Sequence, residues 1–193
     1  MKKIRFALVG CGRISYRHIE AILANPKAEL VAGCDLNLEL AKIRVKGLNV
    51  NTYRDYNEML KKENVDIVNI ITPSGMHVDQ AIDIINKYKK HLIIEKPMCL
   101  KMTDGLKLLQ VAKKNKVKLF IIHQNRFNKA ILKRKSTIEN NLFGKVVFGT
   151  VRIRWSRGQA YYDKDPWRGI YALDGGVLAN QAIHHIDLLR LLV

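Results

Sequence analysis

Ile4-Arg5-Phe6-Ala7-Leu8-Val9-Gly10-Cys11-Gly12-Arg13-Ile14-Ser15 decides the fold. Ile4–Val9 is short and apolar, as a buried strand is, and Ile14–Leu23 carries helical spacing. Gly10 and Gly12 permit a tight turn between them and let backbone N–H groups approach a pyrophosphate. The helix N-terminus adds partial positive charge. Gly10, Gly12, Arg13 and Ile14 are therefore candidate dinucleotide contacts. Ser15 stands where a third glycine is usual, and it is small enough for close helix–strand packing.

Strand and helix keep alternating from this turn. Leu30–Cys34 reads as a second strand and Leu38–Lys46 as a helix. A short edge strand is expected near Asn49–Thr52 and a helix at Tyr56–Lys62. Ile67–Ile71 is a buried strand, followed by a helix at Val78–Tyr88, a strand at Leu92–Ile94, a helix at Gly105–Asn115 and a strand at Lys118–Ile122. Short apolar strands alternating with helices imply an α/β fold whose parallel sheet is covered on both faces. The expected N-terminal domain is a Rossmann domain over residues 1–122.

The pattern changes after that. Asn128–Asn141 is a basic helical stretch. Val147, Gly149, Val151, Ile153 and Trp155 alternate with Phe148, Thr150, Arg152 and Arg154, as in a strand of a sheet open on one side. Ser156–Asp174 reads as a loop, and Gly176–Leu192 as an apolar helix. Residues 123–193 thus read as the first part of a second α/β domain. One strand has no ladder partner of its own, so further sheet has to come from elsewhere.

Four places carry chemistry. Asp35, at the end of the second strand and twenty residues past Ser15, suits the adenosine ribose hydroxyls and would repel a 2′-phosphate. No Arg stands at Leu36 or Asn37, so NAD is favoured over NADP. The competing reading makes Asp35 the N-cap of the helix at Leu38. Thr72, Pro73 and His77 follow the fourth strand, where doubly wound sheets place ligands, and a capped loop-to-helix junction explains His77 equally well. Glu95-Lys96-Pro97 ends the apolar run from His91. A lysine beside a cationic nicotinamide is suited to hydrogen-bond a substrate hydroxyl and share in proton movement. An ordinary surface Glu-Lys pair is the alternative. On the last helix Asn180, His184 and Asp187 fall at i, i+4 and i+7, and an imidazole between an amide and a carboxylate is a sensible general base. His185 is read as structural.

Composition excludes several classes. The 193 residues are 48% hydrophobic and hold no run approaching a membrane span. The start, Met1–Cys11, resembles a lipoprotein signal, but its apolar part lasts only from Phe6 to Val9, short of the roughly 7–15 residues required. Cys11, Cys34 and Cys99 are scattered without metal-ligand spacing, which points to a reduced cytoplasmic protein with no metal site. The net charge is +17, yet the lysines are spread along the chain with no basic stripe, so neither nucleic acid nor membrane is an expected partner.

Gly10-x-Gly12, Thr72-Pro73-x-x-x-His77, Glu95-Lys96-Pro97, Asn125-Arg126-Phe127 and Asn180-x-x-x-His184-x-x-Asp187, in this order, resemble the glucose–fructose oxidoreductase/inositol dehydrogenase family. The resemblance implies a Rossmann domain followed by an α/β domain built on a large, open, mostly antiparallel sheet, through which full-length relatives form dimers or tetramers. It implies a cis bond before Pro97 that aims Lys96 into the site. Trp167-Arg168-Gly169, Asp174-Gly175-Gly176 and Asn180-Gln181 look like dehydrogenases that oxidise the 3-hydroxyl of UDP-N-acetylglucosaminuronic acid in surface polysaccharide synthesis. By that likeness Lys96 and His184 are catalytic. Glu95 and Lys96 join the NAD contacts, and Arg157, Trp167, Arg168, Asn180 and Asp187 bind the nucleotide sugar. Another sugar or cyclitol as substrate, or NAD binding without catalysis, are the alternatives.

Overall fold

The computed structural model describes residues 2–193. The chain divides into two compact units, Met1–Ile121 and Ile122–Val193. In the first, β1 (Ile4–Val9), β2 (Ala28–Cys34), β3 (Asn51–Tyr53), β4 (Ile67–Ile70), β5 (His91–Ile94) and β6 (Leu119–Ile121) form one parallel sheet in the order β3-β2-β1-β4-β5-β6. This is the doubly wound Rossmann order, which reverses between β1 and β4 and opens a crevice at the strands' carboxyl ends.

Period-two alternation puts Ala7 and Val9 on one face of the sheet and Leu8 on the other. The first face is covered by α3 (Tyr56–Lys62), α4 (His77–Tyr88) and α5 (Met102–Lys114), through Met59, Leu60, Ala81, Ile84, Ile85, Leu108 and Ala112. The opposite face is covered by α1 (Ser15–Leu23), through Ile19 and Ile22, and by Val45 just past α2 (Leu38–Arg44). A bulge interrupts the register: Phe6 pairs with Leu30, but Ala7 pairs with Ala32. The extra residue reverses parity along β2, so Leu30 joins one core and Ala32 the other.

The second unit holds a 3₁₀ turn at Gln124–Phe127, α6 (Lys129–Glu139), α7 (Gln159–Asp163), α8 (Tyr171–Asp174), a π turn at Leu178–Ala182 and α9 (Ile183–Leu192). Two expectations are corrected here. Val146–Trp155 forms no strand, and among the described residues the second unit has no sheet. A lone extended segment has no ladder partner, so its amides have no reason to adopt strand pairing. It still packs on one side: a Cβ on Gly149 would lie 2.7 Å from Val193 Cγ2. The Ser156–Asp174 stretch contains two short helices rather than loop alone. The final helix runs unbroken over residues 176–192, but its turn at Leu178–Ala182 is π rather than α.

Among the described residues no helix is long and apolar enough to cross a membrane. Nor does any group of three His, Cys, Asp or Glu converge as metal ligands do.

Candidate active site

The two glycines of the first turn serve different ends. Gly10 has φ +100°, and a Cβ there would lie 2.7 Å from the backbone carbon of Ile71 and 2.9 Å from Thr72 N. Only glycine lets β1 and β4 approach so closely at the switch point. Gly12 has no heavy atom within 4 Å of where its Cβ would stand, so its backbone faces open space. Ser15 is fully buried, and its hydroxyl donates to Gly12 O at 2.6 Å, fixing the turn. Arg13 and Ile14 are exposed beside it. The N-terminus of α1 has neither a side-chain cap nor an acidic residue in its first turn. Ser15 N donates back to Gly12 O at 3.1 Å and Arg17 N to Ile14 O at 3.0 Å, and no side chain competes with a pyrophosphate for the remaining end of the helix.

Asp35 does not cap α2; Asn37 does, accepting from Leu40 N at 3.3 Å. The Asp35 carboxylate accepts from Cys11 N at 2.8 Å and from Asn37 N at 2.9 Å. It therefore ties the end of β2 to the glycine turn while each oxygen keeps a lone pair. Arg44 braces the same turn, donating to Cys11 O at 3.2 Å. Burial pushes the thiols of Cys11 and Cys34 up to about 12, so both stay protonated and inert at neutral pH.

At the carboxyl end of β4, Thr72 Oγ1 donates to Gln80 Oε1 at 2.6 Å, and Pro73 leads into a 3₁₀ turn at Ser74–Met76. His77 is 1% exposed, with Nδ1 2.9 Å from Pro97 O and Nε2 2.8 Å from Thr72 O. Both ring nitrogens thus meet main-chain carbonyls, and the ring clamps the Pro97 loop to the Thr72 turn. Burial holds its pKa below the ordinary histidine value, against the pull of the two carbonyls. The Lys96–Pro97 bond is cis, as the family resemblance implied.

Behind Lys96 lies a network that sequence reading missed. Asn69 Nδ2 donates to His18 Nδ1 at 3.0 Å, so His18 Nε2–H donates to Glu95 Oε1 at 3.0 Å. Glu95 Oε2 accepts from Lys96 N at 3.1 Å. Burial would raise the Glu95 pKa, but the hydrogen bonds from His18 and the Lys96 amide and the nearby Lys96 charge hold it below the usual carboxylate range. The available signal was a histidine on the apolar stripe of α1, between Ser15 and Ile22.

The second unit holds the other candidates. A cavity of about 480 Å³ is lined by Gln124, Asn125, Arg152, Arg154, Trp155, His184 and His185, among others. His185, expected to point elsewhere, shares it with His184. Asn180 lines a smaller cavity of about 130 Å³ with Tyr161, Asp174 and Gln181. Asn180 itself lies in the π turn at Leu178–Ala182, where each residue turns the chain less than in an α-helix. Asp187 is paired with Arg126, whose Nε donates to it at 2.7 Å, and His123 Nδ1 lies 3.6 Å away. That hydrogen bond keeps the Asp187 carboxyl below its usual range, with His184 contributing by charge.

Arg168 has only 8% of its side chain exposed; it donates to Asp165 at 2.6 Å and to the Tyr161 hydroxyl, and it stacks over Tyr161 and Trp167. Arg157 stacks over Trp155 at 3.9 Å and over Tyr161 at 4.9 Å. Of the two expected substrate arginines, Arg168 is neutralised inside the fold and Arg157 is the exposed one. Arg152 and Arg154 were recognised only as the polar side of a strand.

The description "Oxidoreductase family, NAD-binding Rossmann fold" matches residues 4–123, and "GFO/IDH/MocA C-terminal domain" matches residues 131–193. The WlbA dehydrogenase from Bordetella pertussis, solved in complex with NADH and UDP-GlcNAcA, is 40% identical with a TM-score of 0.94 over 100% of this chain and 59% of its own. The WlbA dehydrogenase from Chromobacterium violaceum, also with NADH and UDP-GlcNAcA, is 38% identical with a TM-score of 0.95, covering 100% and 56%. Myo-inositol 2-dehydrogenase of Thermotoga maritima is 30% identical over 97% of this chain and 54% of its own length. The chain thus spans a little over half of each of these relatives.

Proposed function

This chain belongs to the oxidoreductase family with the NAD-binding Rossmann fold, and from that premise we propose that it serves NAD-dependent oxidation of a sugar hydroxyl to a ketone. The substrate we assign is UDP-N-acetylglucosaminuronic acid, oxidised at C3, as a step toward a surface polysaccharide. The observation that carries this is the 40% identity, over the whole chain, to a dehydrogenase solved with NADH and UDP-GlcNAcA.

NAD supplies the acceptor for the hydride that leaves C3. Gly12, Arg13 and Ile14 receive the pyrophosphate on open backbone at the uncapped α1, and Asp35 accepts the ribose hydroxyls on its remaining lone pairs. Thr72 and Pro73 form the wall toward the nicotinamide, and His77 holds that wall in place. Lys96 orients the substrate oxygen and stabilises its developing negative charge. His184 accepts the hydroxyl proton. Asn180 contacts the sugar, Asp187 acts on the His184 imidazole by charge, and Trp167 and Arg168 brace Tyr161, over which Arg157 stacks. Arg152, Arg154 and Arg157 supply positive charge for the diphosphate and the uronate.

Residues 146–155, alternating but unpaired, form the edge of an open antiparallel sheet in the assembled enzyme, the surface through which copies associate. An NAD-dependent reaction and three free cysteines support a cytoplasmic assignment.

The test is NAD reduction by the protein, followed by nicotinamide absorbance, with UDP-N-acetylglucosaminuronic acid and with myo-inositol. Faster reduction with the nucleotide sugar supports the assignment. Reduction with myo-inositol alone would transfer the enzyme to the cyclitol group, and no reduction with either, despite NADH binding, would remove the catalytic reading.

A further inference from the structure

Asn69, His18 and Glu95 come from three separate elements, β4, α1 and the end of β5, and meet in one buried chain of hydrogen bonds that ends on the Lys96 backbone amide. His18 is 8% exposed and Asn69 2%. A fold spends three polar side chains in a core only where each is satisfied or where the arrangement does something. The sheet does not need this one: Leu8, Ile19, Ile22, Leu30 and Ile71 already form an apolar core on the face that α1 covers.

We infer that His18 is a positioning residue that fixes the orientation and charge of Glu95 and, through that carboxylate, the protonation of the Lys96 amine. The inference rests on the catalytic reading of Lys96. It adds a residue to that site whose effect is transmitted rather than direct.

The geometry gives the sequence of effects. Asn69 Nδ2–H occupies His18 Nδ1, which leaves the ring proton on Nε2, facing Glu95. The carboxamide suits either state of the ring, because turned over it offers Oδ1 to a protonated Nδ1. Glu95 is held on both oxygens, by His18 on one and by the Lys96 amide on the other. A carboxylate held in this way stays ionised at neutral pH. Its negative charge one residue from Lys96 favours the ammonium form. The charged and titratable groups around Glu95 are His18 and Lys96, and Glu95 and Lys96 both act on His77.

The sign of each perturbation follows. His18→Leu removes the donor that holds Glu95 Oε1, so the carboxylate stays ionised but is no longer fixed beside Lys96, and its hold on the Lys96 proton weakens. Glu95→Gln removes the charge outright and moves Lys96 the same way. His18→Gln restores an N–H near the position of Nε2 and returns Lys96 toward wild type.

The experiment measures the rate at which an amine-reactive reagent labels Lys96 as pH is raised, by mass spectrometry of the peptide containing it. It needs neither substrate nor turnover, so it succeeds or fails independently of the proposed reaction. At about pH 8 we expect labelling to rise roughly three- to tenfold in Glu95→Gln, a displacement of about half to one pH unit, and by a smaller factor, about twofold or more, in His18→Leu. His18→Gln should fall back to the wild-type rate. A merely structural histidine would alter thermal stability in His18→Leu without displacing the labelling profile. An unchanged profile in Glu95→Gln, a variant that keeps the hydrogen-bonding shape of the side chain, would overturn the inference whether or not His18→Leu folds.

Discussion

Replacing Gly10 and Gly12 separately by alanine should break two different things, although both lie in one turn. At Gly10, φ is +100° and the new methyl would sit 2.7 Å from Ile71 C and 2.8 Å from Ile71 O. The backbone conformation costs an L-residue about 1–2 kcal/mol. Overpacking against main chain that cannot rotate away costs about 1–3 kcal/mol more. The sum, about 2–5 kcal/mol, corresponds to a fall in Tm of roughly 6–25 °C for a unit of this size. At Gly12 the methyl meets nothing within 4 Å and φ is not left-handed, so Tm should stay within about 2 °C of wild type. NADH affinity should instead fall by about tenfold or more, because the methyl occupies the approach of the pyrophosphate. Differential scanning fluorimetry gives the first quantity and nicotinamide fluorescence the second. A Gly12→Ala variant that binds NADH like wild type would refute the open-backbone reading, and a Gly10→Ala variant of unchanged Tm would refute the steric one.

Asp35→Asn keeps an acceptor for Cys11 N while removing the charge, so NADH affinity should fall by about tenfold and preference over NADPH should narrow; an unaltered ratio in paired titrations would remove the ribose role. Lys96→Met should abolish NAD reduction with the sugar while NADH affinity stays within about threefold, and retained turnover would sink the assignment of Lys96. Asp66 accepts from Arg5 N at 2.9 Å, Nε at 3.1 Å and Nη2 at 3.0 Å, and these bonds lower its pKa in the folded state. Its stabilisation is therefore present above the unfolded value of about 3.9 and is lost as pH falls through the folded value. The pair is partly exposed, so Asp66→Asn should cost about 1 kcal/mol or less near neutrality. The gap in Tm to wild type should close as pH drops from about 6 toward 3, and a gap independent of pH would exclude the ion pair as its source.

The first unit was legible because its signals are local. Apolar runs of strand length, a glycine turn between the first strand and the first helix, and aspartate or asparagine before helices each act within a few residues. Those signals placed all six strands and five helices of the sheet within a few residues of their ends. The bulge in β2 was not legible, because Leu30 and Ala32 look like a same-face pair until pairing with β1 separates them. The His18–Glu95 bond spans 77 positions, and nothing in either neighbourhood announces the other. The second unit was read less well for a physical reason. Alternation at 147–155 reports which side chains would share a face, but a strand exists only when another strand supplies its hydrogen bonds. The π turn at Leu178–Ala182 likewise left no mark in the local residue pattern.

The measurement that bears most directly on this account is a titration of the purified protein with NADH and with NADPH, followed by nicotinamide fluorescence. The account predicts saturable NADH binding in the micromolar range, with NADPH weaker by about tenfold or more because Asp35 repels the 2′-phosphate. Binding of neither, or tighter binding of NADPH, would contradict it.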